Sequence, residues 1–214
     1  MPGSQPFDKY AEQYDDWFEQ NHIAYETELK AVKHFLPDSG TGLETGVGTG
    51  RFAGPLGIKN GLEPSKSMRA IAKERGIDAV DGRAEKLPYN DGEFDYVLMV
   101  TVICFLDDVR IALDEARRVL NDGGIIVIGF IDRESPLGQM YEKHKNENEF
   151  YKHAVFYSAD EIGHLLEEAG FENLQFVQTI FNNPSEINEI EEIKPGHGQG
   201  GFVVVKAEKH VKRL

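Results

Sequence analysis

Leu43-Glu44-Thr45-Gly46-Val47-Gly48-Thr49-Gly50 places three alternating glycines where a short strand, residues 41–46, runs into a loop. Glycine tolerates left-handed backbone and lets a chain close on a ligand. Such a run at the end of a first strand predicts a strand–loop–helix unit that binds a small molecule. A dinucleotide loop has the pattern G-x-G-x-x-G, but here Arg51 stands where the third glycine belongs. No G-x-x-x-x-G-K-[ST] occurs anywhere, which removes the phosphate-cradling P-loop.

On either side of this loop, strand-like and helix-like segments alternate. Residues 59–63 form a second strand, and Ser65 is placed to N-cap a helix through Arg75, with Gly76 as its stop. A third strand is expected at 78–80. Phe94–Val100 is apolar almost without a break, the mark of a strand buried on both faces. Residues 109–120 form an amphipathic helix ended by 121–124, and 124–131 a fifth strand. Upstream, residues 7–19 have helical spacing, with Phe7, Tyr10, Tyr14 and Trp17/Phe18 along one side, and 23–36 form a second helix stopped by Pro37.

Beyond Ile131 the pattern changes. Residues 132–157 are polar and aromatic, with a helix around 138–147. Ser158 and Glu161 make a capping box for a helix to Ala169. Residues 172–180 and 201–207 are the last two strands, joined by a long connection, 181–200. The basic tail 206–214 reads as a frayed end. The alternation predicts an α/β protein with a doubly wound parallel sheet.

The chain has 214 residues and a formal net charge of -14, from 23 Lys and Arg against 37 Asp and Glu. Its length suits a single domain, 1–214. The negative surface opposes nucleic acid and anionic membranes as partners. The one cysteine, Cys104, allows no internal disulfide, which fits the cytoplasm. Residues 1–10 lack the basic and apolar regions of a signal peptide, and the longest apolar stretches are too short to span a bilayer. The histidines are scattered, with no Cys/His cluster at metal spacing. Oligomeric state has no signature in the chain.

Glu44 narrows the ligand. A carboxylate at the mouth of a glycine loop repels a pyrophosphate and attracts a cation. S-adenosylmethionine (SAM) carries an α-amino group and a sulfonium and has no phosphate, so its charge matches. Glu63, at the end of the second strand, stands where a carboxylate accepts hydrogen bonds from ribose hydroxyls, a geometry shared by dinucleotide and SAM sites.

Five blocks occur in order: 44–50, Gly61-Leu62-Glu63-Pro64-Ser65, Gly82-Arg83-Ala84-Glu85-Lys86-Leu87-Pro88, Phe94-Asp95-Tyr96-Val97, and Arg118-Val119-Leu120-Asn121-Asp122-Gly123-Gly124. Together they resemble the class I SAM-dependent methyltransferases of the ubiquinone/menaquinone-biosynthesis type, over residues 7–131. The resemblance implies a Rossmann-like seven-stranded sheet of order 3-2-1-4-5-7-6 with strand 7 antiparallel. N-terminal helices (6–36), a SAM-binding core (41–131) and a small cap over the active site (132–157 and 181–200) would complete it. It further implies SAM as cofactor and S-adenosylhomocysteine (SAH) as product. Glu44 would meet the methionyl amino group, Gly46, Gly48 and Gly50 would line the methionyl and ribose parts, and Glu63 would hold the ribose. Met68, Ala84, Leu87 and Val100 would border the cofactor. Arg83 stands where relatives have an Asp that binds the adenine amino group, which leaves that role to Glu85 or to backbone, or leaves adenine held mostly by packing.

The acceptor is expected to be a small molecule methylated on N, O or S by in-line displacement. Residues 101–105 would face the methyl group, and they lack the Asn/Asp-Pro-Pro-Tyr/Phe signature of base- and amide-methylating enzymes. Cys104 reads as a small buried hydrophobe rather than a nucleophile. Tyr14, Thr101, His153 and His197 are the candidate catalytic residues. Asp132, Arg133, Tyr141, His144, Tyr151 and Tyr157 are further candidates for choosing the acceptor, because ligands lie beyond the carboxyl ends of parallel strands. Two other functions stay open on sequence alone: a non-catalytic SAM-binding module and an NAD-dependent oxidoreductase.

Overall fold

Phe94–Val100 forms the strand that its apolar run predicts, β4, and from Tyr96 onward every residue in it is buried. The computed structural model describes residues 4–210. Around β4 lie β1 (Gly42–Thr45), β2 (Asn60–Leu62), β3 (Asp78–Val80), β5 (Leu120–Ile131), β6 (Phe171–Thr179), β7 (Lys194–Pro195) and β8 (Phe202–Lys209). The sheet has eight strands in the order β3-β2-β1-β4-β5-β8-β6-β7. β1 to β5 pair in parallel, and β8 inserts antiparallel between β5 and β6. The predicted order is therefore kept. The eighth strand is a two-residue addition on the outer edge of β6, formed within the connection expected as loop 181–200.

Helices cover both faces. On one, α6 (Val109–Val119) and α8 (Ala159–Glu168) bury Leu113, Ala116, Ile162 and Leu166 against β4, β5 and β8. On the other, α2 (Ala11–Gln20) and α3 (His22–Lys33) cover Leu98, Val127 and Val204. The capping signals act as the residue types require. The Ser65 side chain accepts from the Met68 N–H at the start of α5 (Lys66–Glu74), and Asp108 caps α6 through Ile111. Ser158 and Glu161 close a full capping box on α8.

Several boundaries differ from expectation. The first helix is broken at Tyr10 into α1 (Ser4–Lys9) and α2. The helix after the glycine loop, α4 (Ala53–Leu56), is a single turn stopped by Gly57 at φ +75°. Residues 121–124 do not separate α6 from its strand; β5 starts at Leu120, and its pairing with β4 shifts register between Phe94 and Tyr96. The tail is not frayed throughout, since 206–209 extend β8, and 211–214 lie outside the described residues. The cap carries α7 (Pro136–His144), begun by Ser135. Among the described residues no helix is long and apolar enough to cross a membrane.

Candidate active site

The glycine loop leaves β1 at the centre of the sheet, at the carboxyl ends of the parallel strands. Gly46 has φ +69°, and a Cβ there would lie 2.3 Å from Cγ2 of Val102, so only glycine fits. Gly48 differs: its nearest obstacle is the Tyr14 ring at 4.0 Å, and its backbone faces open space. Gly50 packs instead, because a Cβ there would meet Ile77 at 2.3 Å.

Two carboxylates support the loop. Glu63 accepts from the backbone N–H of Gly48 at 3.0 Å and of Ser65 at 2.8 Å, which ties β2 to the loop. Burial pushes its pKa up to about 7 against the pull of these two N–H groups. Glu44 is 2 % exposed, and its Oε2 has no hydrogen-bond partner. Burial holds it well above the ordinary carboxylate range, while the Ala53 N–H acts the other way and the Glu63 charge adds to the rise. A buried oxygen without a donor is costly unless something supplies one.

The helix α2 is latched onto this loop by Asp15. Its Oδ1 accepts from Thr49 Oγ1 at 2.5 Å, Arg51 Nε at 2.9 Å and Arg75 Nη1 at 2.8 Å. Its Oδ2 accepts from Arg51 Nη2 at 2.6 Å and Arg75 Nη2 at 2.7 Å. The arginine that breaks the dinucleotide pattern thus holds α2 and, with it, Tyr14 over the site. Asp8 adds a second tie by accepting from Ser65 Oγ at 2.7 Å.

Beneath this lid lie two adjoining cavities. The inner, about 70 Å³, is lined by Gly46, Gly48, Glu63, Met68, Ala84, Val100, Thr101 and Tyr14 among the expected residues, with Arg83 beside them. The outer, about 300 Å³, lies under the cap and is lined by aromatic residues including Trp17, Phe18, Tyr141, Phe150 and Tyr151. Phe7, Tyr14, Thr101 and Phe105 line both. Thr101 has φ +51°, unusual for a β-branched residue and a form of strain found at functional sites. Tyr14 is partly buried and its phenol held above its ordinary pKa by desolvation, with Thr101 as hydrogen-bonding neighbour. Cys104 is a buried thiol pushed up to about 12, an unreactive state.

Other expected residues stand elsewhere. Glu44 lies behind the loop and lines neither cavity. Leu87 is core, its N–H donating to Glu115 at 2.8 Å. Glu85 does not line the inner cavity either; it accepts from the Asp107 N–H at 2.8 Å and pairs with Arg83. His153 is exposed on the cap, and His144 faces solvent against the Met140 carbonyl. His197 sits beyond β6 against Phe176, 3.6 Å from Asp160. Asp132 is a buried staple accepting from Glu134 and Ala159 N–H groups, Arg133 pairs with Glu161, and Tyr157 packs beside the α6–α8 core. Among the described residues no three of His, Cys, Asp and Glu gather as a metal site.

Residue-level expectation missed Glu28, which lines the outer cavity from α3. The signal was present: Ala24, Glu28, Ala31 and Val32 share one helical face, and the glutamate interrupts an otherwise apolar stripe.

Residues 43–128 match the family described as Methyltransferase domain. An uncharacterized protein of Methanocaldococcus jannaschii is 49% identical over 95% of this chain and 98% of its own length. The crystal structure of a SAM-dependent methyltransferase, possible histamine N-methyltransferase, from Thermotoga maritima is 50% identical, covering 96% of this chain and 99% of that one with a TM-score of 0.94. This chain is a class I SAM-dependent methyltransferase. A demethylmenaquinone methyltransferase of Staphylococcus aureus is a more distant relative, 27% identical over 79% of this chain and 84% of its own length. The methyltransferase's cofactor is SAM, and an inner cavity bordered by Glu63, Met68 and Ala84, beside a loop that admits only glycine at 46, fits it.

Proposed function

We propose that the protein methylates a small molecule on an N, O or S atom by in-line displacement. One observation carries this reading: the outer cavity is lined mainly by aromatic and apolar side chains and shares Phe7, Tyr14, Thr101 and Phe105 with the inner one. A concave aromatic pocket of about 300 Å³ suits a small acceptor better than a macromolecular chain. The cap segments proposed to face the acceptor, 132–157 and 181–200, contribute Tyr141, Asn148, Phe150, Tyr151 and Pro184 to it. A cytoplasmic setting belongs to the same reading, supported by the single cysteine.

SAM supplies a methyl group already activated by its sulfonium. The residues are proposed to divide the remaining tasks. Glu63 holds the ribose, with Met68, Ala84 and Val100 packed around the cofactor. Thr101 and Tyr14 form the wall where the acceptor atom meets the methyl group. Phe7 and Phe105 exclude water there, which aligns the partners and preserves the methyl donor. The Tyr14 phenol stays neutral and serves as a hydrogen-bond donor, not as a base.

Two measurements test this. With methyl-labelled SAM, label is expected in small amines, phenols or thiols; transfer only to protein or nucleic acid would overturn the small-molecule reading. By calorimetry, SAH affinity is expected to weaken as pH falls below about 7. Glu63 must be a carboxylate to accept two ribose hydroxyls, and burial holds its pKa near that value; nearby Asp8 favours the proton and Arg69 opposes it. A flat profile, or one unchanged in Glu63→Gln, would remove Glu63 from that role.

A further inference from the structure

A carboxyl group stands in the outer cavity with no basic side chain beside it among the described residues. Glu28 is 6 % exposed, and no donor among the described residues bonds its carboxyl. Its position on α3 aims it into the aromatic cavity rather than to solvent. The described lining holds two acids, Asp16 and Glu28, and no lysine, arginine or histidine. The tyrosines that face Glu28 are Tyr14, Tyr141 and Tyr151, all partly buried and with their phenols raised by desolvation. A buried carboxyl without a partner is costly, and such groups gather at functional sites. Aromatic faces beside a carboxylate attract a cation twice over, by charge and by the ring quadrupole.

We propose that Glu28 is the recognition carboxylate for a protonated nitrogen, so that the acceptor is a small amine with a flat apolar body. Glu28 lines only the outer cavity and not the wall shared with the cofactor side, so its part is binding and orientation. This rests on the methyltransferase reading of the adjoining cavity. Without a cation, burial pushes the Glu28 carboxyl up to about 8. An ammonium seating on it draws off that proton, so binding at pH 7 releases close to one proton to the buffer.

The test is calorimetry on the SAH-loaded protein with phenethylamine and its uncharged isostere phenethyl alcohol, in buffers of different ionisation enthalpy. Wild type is expected to bind the amine at least tenfold more tightly than the alcohol, with proton release. Glu28→Gln keeps the shape and is expected to abolish both the preference and the proton release, while circular dichroism stays unchanged. Equal binding of the two probes, binding of neither, or a preference that survives in Glu28→Gln overturns the proposal. Failure of wild type to take up SAH in the first step would instead remove the cofactor reading beneath it.

Discussion

Asp15→Ala is expected to lower stability by about 2–3 kcal/mol, a fall in Tm of roughly 5–10 °C for a chain of this size. The Asp15 side chain is 16% exposed and accepts from Thr49, Arg51 and Arg75 at once. Removing it leaves two neighbouring guanidinium groups, with Glu19 at 2.5 Å as the remaining ion-pair partner of Arg51. Burial alone would raise the Asp15 pKa, but the hydrogen bonds from Arg75, Arg51 and Thr49 outweigh it and hold the carboxyl well below the usual range. A depressed folded pKa contributes stability above the unfolded value that is lost in acid. The gap between wild type and variant should therefore be full at neutral pH and close as pH falls below about 4. Because α2 carries Tyr14, SAH affinity should fall together with Tm. Heat denaturation across pH tests this; a variant melting within a degree of wild type at neutral pH would show that α2 is held by its apolar face alone.

Glu44→Gln is expected to do the reverse: stabilise the free protein and cripple ligand binding. Glu44 is buried, lacks a partner for Oε2 and has its pKa raised chiefly by desolvation. A carboxyl raised in the folded state holds its proton there after the unfolded chain has lost it, so stability drains as pH climbs above about 4.5. Glutamine ends that drain, and the variant should melt higher than wild type, increasingly so toward alkaline pH. The family resemblance gives Glu44 the cofactor's amino group as partner, and a charge-assisted bond there is worth about 1.5–3 kcal/mol. SAH affinity should then fall roughly 10- to 150-fold. Calorimetry and melting on the same sample separate the two effects. Unchanged affinity would leave Glu44 a buried structural acid and shift the amino group's recognition to the loop backbone.

Much of the architecture was legible along the chain. The apolar run of β4, the N-cap Ser65 and the Ser158–Glu161 box each act within a few residues, and they appear where their chemistry requires. The glycines at 46 and 48 and Glu63 at the end of β2 were legible for the same reason, since strand ends and loop geometry are local. The extra strand β7 was not: two residues pair with β6 only because the chain returns along that edge. Glu85, Leu87 and Gly50 were assigned by motif position, yet Arg83, Glu115 and Ile77 claim them. His153 and His197 were chosen for their chemistry, and the cap turns both away from the cavity.

Short-range pattern therefore sufficed for the strand–helix order, the parallel sheet and the glycine loop, because these follow from periodicity, capping and φ preference over a few residues. The Asp15 latch, the shared wall of the two cavities and the isolation of Glu28 came only with the packed chain. Asp15 meets Arg75 across 60 positions of sequence. The solvation of Glu28 depends on every side chain that keeps water from it, and no local pattern encodes that environment.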